Sequence, residues 1–354
     1  MADSDVGQLA RRIMELVLRH QRTAAVAAGP DRARTGRGDP DRGGTDDGCA
    51  APPGASCPRC LAAHARQVAA AVAAGRPVTF VLPAFPGKSP NPAKVLGVLP
   101  DLAERLALGF LDGLCGRIQA VYAPGARVLI CSDGRVFSDA VGIPDEHITA
   151  YQRALQTLID RLPHQGVGLF TLDDVPELAG AEHERMRAVL AERYAEPLAT
   201  LRERVRSGEE VALYRAITRF LFEDGNTPGY TGSRAALQRD ARARAYTVIQ
   251  RSRAWGALLA ERFPDAVRLS IHPQPCGAGK LGIHLVETAD NWLTPWHSVA
   301  LDTGDRFVLV PRGEAERRGA RLVHSGGRPS HYTMAGARVP AAGGARLSPS
   351  VATA

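Results

Sequence analysis

Lysine is nearly missing from this chain: of 44 basic residues only Lys88, Lys94 and Lys280 are lysines, the rest being arginine. Aromatic residues are also scarce, at 5%. No apolar run approaches the roughly 18 residues needed to span a bilayer, so no membrane partner is expected. The acidic start Met1-Ala2-Asp3-Ser4-Asp5 leads into a charged amphipathic segment and is unlike a secretory signal. The expectation is a cytoplasmic protein whose six cysteines stay reduced. Among these, Cys57-Pro58-Arg59-Cys60, with Cys49 and His64 nearby, offers metal-ligand side chains. A strong zinc signature needs a second paired set, which the sequence lacks, so a local turn or helix start is expected and no metal.

What is present reads as an ordinary soluble globular protein. A chain of 354 residues with 45% apolar and 23% charged side chains can bury a large core. The net charge of +7 is spread thinly, which suits small anionic ligands and not nucleic acid. Leu9, Ile13, Leu16 and Leu18 give residues 6–26 an amphipathic helical stripe. The domain plan is an N-terminal helix within 1–28, a disordered linker at 29–56, a catalytic body at 57–333 and a disordered tail at 334–354.

Strand and helix patterns alternate along the body. Val78–Leu82 and Arg127–Cys131 read as buried parallel strands, and the capping-box spacing Asp101-Leu102-Ala103-Glu104 opens a helix between them. A helix at 147–161 and a strand at 167–171 follow. Residues 183–223 and 234–262 are strongly helical, with a turn-rich loop between them, and strands return near 267–272, 281–287, 297–301 and 306–310. The class is α/β with a mostly parallel sheet and added helices.

Three predicted strands run into polar turns: the Lys88 loop, Ser132-Asp133-Gly134-Arg135 and His272-Pro273-Gln274. Ligands of open parallel sheets bind at the strands' carboxyl ends, so one shared site is expected if these strands are neighbours. Pro86-Gly87-Lys88-Ser89 is no P-loop, because Leu82 stands where the earlier glycine belongs. It still offers an ammonium, the Ser89 hydroxyl, the Asn91 amide and backbone N–H groups to a phosphate or carboxylate. A retained lysine in an arginine-rich chain is also a candidate for amine chemistry. Asp133 is placed to move a proton or anchor an ammonium, and Arg135 to clamp an anion, although an Asx turn with an Asp–Arg pair explains the same residues. Farther on, His297 beside Trp296, with Trp292 just before, combines an imidazole with an aromatic wall, and Arg328 and His331 form a later polar pair.

Leu82-Pro83-Ala84-Phe85-Pro86-Gly87-Lys88-Ser89-Pro90-Asn91, Cys131-Ser132-Asp133-Gly134-Arg135-Val136-Phe137-Ser138-Asp139, Arg268-Leu269-Ser270-Ile271-His272-Pro273-Gln274 and Thr294-Pro295-Trp296-His297 together resemble the isocyanide (isonitrile) synthase family, also called pyoverdine/dityrosine biosynthesis proteins. The resemblance covers roughly residues 57–332. It implies a Rossmann-like α/β fold and conversion of the amino group of an L-amino acid, often tyrosine or tryptophan, to an isocyanide. The added carbon would come from ribulose 5-phosphate: the amine condenses with the ketone and the sugar remnant is eliminated. An iron/2-oxoglutarate oxygenase acting next is the implied pathway partner, and no cofactor is implied. One branch of the family is tied instead to formyl-tyrosine chemistry.

On this reading Lys88, Ser89, Asn91 and Arg135 would hold the sugar phosphate, and Lys280 or Arg328 the amino-acid carboxylate. His272, His297 and Asp133, with the Lys88 amine, would carry the catalysis. Gln274, Trp296 and His331 would complete the substrate site. Two readings compete: a sugar-phosphate aldolase or isomerase using Lys88 or Lys280 as a Schiff-base amine, and a metabolite-sensing regulator, which would need a nucleic-acid-binding element the sequence does not display.

Overall fold

The computed structural model describes residues 3–23, 57–288 and 293–334. The expected linker, Trp292 and all but the first residue of the expected tail lie outside the described residues.

The chain begins with α1 (Asp3–Leu18) and α2 (Pro58–Ala73), then alternates β1 (Val78–Pro83), α3 (Leu102–Gln119) and β2 (Ala126–Cys131). Next come α4 (Gly134–Val141), α5 (Asp145–Ile159) and β3 (Val167–Phe170). Four helices follow: α6 (His183–Tyr194), α7 (Leu198–Arg206), α8 (Val211–Gly225) and α9 (Arg234–Arg262). The chain returns through β4 (Val267–Ser270) and β5 (Leu281–Gly282), and ends with β6 (Val299–Asp302), β7 (Phe307–Val310), α10 (Arg312–Arg317), β8 (Arg321–Ser325) and β9 (Arg328–Thr333).

Five strands form an all-parallel sheet in the order β3-β2-β1-β4-β5. Its strands are nearly continuous apolar runs because both faces are covered. Phe80, Leu82, Val128 and Ile130 pack on one face with Ile13 and Met14 of α1, Val68 of α2, Leu111 of α3 and Leu155 of α5. Val81, Leu129 and Cys131 pack on the other with Val136 of α4, Met186 of α6 and Trp255 of α9. The chain therefore winds outward from β1 to β3 and returns to place β4 on β1's other side. That reversal makes the β1/β4 junction the switch point, beside which sheets of this type bind ligands at their strands' carboxyl ends. A second sheet, β7-β6-β9-β8, is mixed in direction and packs Ala300 and Leu309 on Ala103 at the start of α3.

Three sequence expectations need correction. The first helix stops at Leu18, because the chain beyond it is committed elsewhere: Arg22 exchanges backbone hydrogen bonds with Gly282 and Gln274. The expected strand at 281–287 is only two residues long. The hairpin β8–β9, turning on the left-handed Gly326 and Gly327, was not anticipated, because its strands are short and polar.

Candidate active site

The strands β2, β1 and β4 are adjacent, and their ends lie level. Pro83 pairs with Cys131, while Val81 pairs with Arg268, which puts Ser270 beside Pro83. Two residues farther on stand Phe85, Asp133 and His272, one on each strand's exit, with neighbouring strands about 4.8 Å apart.

The Lys88 loop is clamped onto these ends. Phe85 takes a left-handed backbone (φ 59°), a costly geometry for a non-glycine residue, while buried and packed on Trp296 at 5.0 Å between ring centres. The Ser132 hydroxyl donates to Phe85 O at 2.8 Å, and Ser89 N donates to Trp296 O at 2.9 Å. Gly134 is required here: a Cβ on it would lie 2.0 Å from Pro86 O. Trp296 is thus a core residue that ties the short 3-10 turn Pro295–His297 to the loop.

The expectation that Lys88 presents its amine to substrate is corrected. Its side chain has no exposed surface, and its Nζ donates to Asp101 Oδ2 (2.8 Å) and Pro295 O (3.0 Å) and pairs with Glu104 Oε2 (2.8 Å). The three ammonium protons are therefore committed. The same two acids form the predicted capping box of α3: Asp101 Oδ1 accepts from Ala103 N, and Glu104 accepts from Asp101 N. Tyr151 donates to Glu104 as well. One ammonium faces two buried carboxylates, so burial and Asp101 push Glu104 up to about 7 against the pull of Lys88. The Lys88 pKa is raised, because Glu104 and Asp101 together outweigh the opposing effect of burial.

Other candidates are held by protein contacts or lie on the second sheet. Asn91 donates its amide to Glu223 O at 2.9 Å and accepts from Ala93 N, fixing the loop to the end of α8. Arg135 is held by Gln152 (3.0 Å), Asp173 (2.7 Å) and His183. Arg328 and His331 lie on β9 in the second sheet. Arg328 is exposed over a hollow shared with Asp101 and Val98, and His331 packs edge-on to Phe307. A cavity of about 260 Å³ opens beside the Lys88 loop, lined by Gly87, Ser89, Val95, His147 and Arg312, but none of Asp133, His272 or His297 reaches it.

Asp133 and His272 follow β2 and β4 at the carboxyl edge of the sheet, and His297 lies near His272. Asp133 stands at the N-terminus of α4, its Oδ1 buried without a hydrogen-bond partner, and burial pushes its carboxyl up to about 7. Such a carboxyl exchanges protons at neutral pH. Water reaches His272, yet protein surrounds its ring closely enough that burial, Arg22 and Lys280 lower its pKa to about 4. His297 is lowered to about 4 by burial, and His272 is near enough to contribute. Both imidazoles are therefore neutral at pH 7 and able to accept a proton. Gln274 braces the loop after β4, donating to Ser270 Oγ and Pro273 O. Exposed Lys280 has its pKa lowered by burial and by Arg268.

Three contributors escaped the sequence analysis. Asp224, a buried acid in the last turn of α8, places Oδ2 3.6 Å from His297 Nε2 and pairs through Oδ1 with Lys94. Lys94 had been singled out only as a retained lysine. Arg268 lies within β4, where its Nε and Nη2 are buried without a hydrogen-bond partner. A cation inside the otherwise buried strand Val267-Arg268-Leu269 was the available signal. Unpaired guanidinium donors beside Lys280 suit an anionic substrate group.

The fold is a doubly wound α/β architecture with Asp133 and His272 at the exits of neighbouring strands on either side of β1. The sequence profile of the pyoverdine/dityrosine biosynthesis protein family matches residues 68–323, and the chain belongs to that family. It is 58% identical over 271 residues to an L-tyrosine isonitrile synthase of Pseudomonas aeruginosa, covering 76% of this chain and 83% of that one. It is 42% identical over 279 residues to the L-tryptophan isonitrile synthase AmbI1 of Fischerella ambigua, covering 78% and 87%. The crystal structure of the PvcA protein from Pseudomonas aeruginosa superimposes with a TM-score of 0.79 at 49% identity, over 92% of this chain and 99% of that one.

Proposed function

We propose that this enzyme is an isonitrile synthase that converts the amino group of L-tyrosine to an isonitrile, with ribulose 5-phosphate as carbon donor. The observation that carries the reading is the 58% identity to an L-tyrosine isonitrile synthase across 83% of that protein, against 42% to the tryptophan enzyme. The catalytic body spans residues 57–333 and works in the cytoplasm, and an iron/2-oxoglutarate oxygenase takes the product onward.

The residues support a division of labour. Asp133, His272 and His297 carry protons during condensation of the amine with the ketone and elimination of the sugar remnant. Asp224 orients His297. Arg268 and Lys280 take the substrate's phosphate or carboxylate. Schiff-base chemistry on Lys88 finds no support, since that amine is enclosed in ion pairs.

Incubation with ribulose 5-phosphate labelled with ¹³C at its ketone carbon, and with L-tyrosine or L-tryptophan in turn, tests this. An isonitrile infrared band that shifts with the label is expected from L-tyrosine. A folded protein that gives no such band with either amino acid sinks the reading. Borohydride trapping of a protein–sugar adduct would instead favour the aldolase-like mechanism.

Arg268→Ala tests the anion site. Loss of charge-assisted hydrogen bonds worth about 1.5–3 kcal/mol should raise one KM by roughly 10- to 150-fold. Steady-state kinetics with each substrate varied separately show which anion Arg268 holds. Two unchanged KM values remove it from the site.

A further inference from the structure

Outside the candidate catalytic residues, three cysteines from distant parts of the chain meet. Cys57 and Cys60 stand at the start of α2, Cys57 as the residue preceding its first turn. Cys276 follows β4, on the loop that carries His272 and Gln274. The Sγ atoms of Cys57 and Cys276 are 3.3 Å apart, those of Cys60 and Cys276 are 3.7 Å apart, and all three lie within 4.8 Å of one another. We infer that Cys57, Cys60 and Cys276 form a structural zinc site.

Four observations carry it. First, thiolates bound tetrahedrally at a Zn–S distance of about 2.3 Å sit roughly 3.8 Å from each other, close to the spacing seen. Second, Cys-x-x-Cys at a helix start is a common zinc half-site, and Cys276 supplies the further ligand whose absence from the sequence pattern argued against a metal. The missing partner is single and some 216 positions away, which spacing rules do not detect. Third, Cys60 Sγ accepts from Gln21 Nε2 at 2.9 Å and from Gly277 N at 3.4 Å. Donors aimed at a sulfur stabilise a metal-bound thiolate, and the positive end of α2 adds to this. Fourth, left-handed Gly277 (φ 72°) directly after Cys276 turns the loop back so that its N–H reaches Cys60.

Zinc suits the site better than a hard cation of the calcium type, because the donors are all soft sulfurs. Binding releases the thiol protons and changes no oxidation state. A fourth position remains for water or a further donor. His64, one turn beyond Cys60 and buried, does not join the cluster.

The site's position gives it a task. The loop it would anchor also bonds to the segment after α1: Arg22 donates through Nη1 to Ile271 O at 2.8 Å, and Gln274 N donates to Arg22 O. Zinc would join the loop after β4 to the start of α2, beside the end of α1, and so hold the loop on which His272 stands. It is a positioning site and touches no reacting atom.

The full chain, purified without metal-affinity resin or chelator, should contain about one zinc per molecule by plasma mass spectrometry. A mercurial thiol reagent should release it in step with thiol modification. Cys276→Ser and the double variant Cys57→Ser/Cys60→Ser should lose most of the zinc, and Cys115→Ala, altered at a thiol elsewhere in the core, should keep it. Should the serine variants fail to fold, Cys60→His, which preserves a ligand, should retain the metal and fold. Adding zinc to chelator-stripped wild type should raise Tm. Substoichiometric zinc in all preparations, zinc unaffected by Cys276→Ser, or a Cys57–Cys276 disulfide recovered by mass spectrometry from freshly purified, folded protein would overturn the assignment. These readouts are independent of isonitrile formation, so failure of the catalytic reading leaves this one standing.

Discussion

Asp133→Asn lowers kcat by about 10²- to 10⁴-fold, the usual weight of a general acid or base, while the fold survives. The substitution keeps size and polarity and removes only the ionisable proton. The wild-type carboxyl is held near 7 by burial, whereas His272 and His297 titrate near 4. Glu104 is also pushed up to about 7 but is enclosed with Lys88, so a limb in the pH–rate profile near 7 is assigned to Asp133 by its response to Asp133→Asn, rising with pH if the carboxylate is the base that frees the amine. That limb should vanish in Asp133→Asn. Stability supplies a separate check. The folded state keeps a proton that the unfolded chain, with an ordinary carboxyl near 3.8, has released. Stability from this group therefore falls as pH rises from about 4 to about 7 and is level above. Asp133→Asn should lose less Tm than wild type across that window. A variant with full activity and an unchanged pH profile would show that Asp133 serves only to start α4.

The second large effect is on stability. Lys88→Ala leaves Asp101 and Glu104 buried without their cation, which costs about 3–5 kcal/mol. Urea unfolding followed by circular dichroism measures it. Were Lys88 a catalytic amine open to substrate, the alanine variant would be as stable as wild type and merely inactive. Replacing all three charges, as Lys88→Met with Asp101→Asn and Glu104→Gln, should recover much of the loss. Asparagine still caps α3, and no buried charge remains to be desolvated. If the triple variant is less stable than Lys88→Ala, the ion pairs themselves supply the stability.

These two residues show what could be read from sequence. The capping box at Asp101–Glu104 was legible because it is local, and it forms as expected. The strands β1, β2 and β4 were legible as short apolar runs, and their polar exits pointed to the sheet's carboxyl edge. What spacing does not encode is the direction of a side chain. Lys88 and Asp133 both follow buried strands in glycine-containing turns, yet one turns into a nest of acids and the other keeps an unpaired oxygen. Asp224 and Cys276 escaped for a different reason: their partners, His297 and Cys57, are far away in the chain and meet them only in the folded protein.

The shortage of lysine has a practical side. Lys88 is enclosed and Lys94 is paired with Asp224, which leaves Lys280 as the lysine open to solvent, with a weakened hold on its proton. Amine-directed acylating reagents, dyes or resin linkers will therefore attach chiefly there and at the α-amino group. Because Lys280 lies near His272, such tethering would orient immobilised molecules with that imidazole turned toward the support.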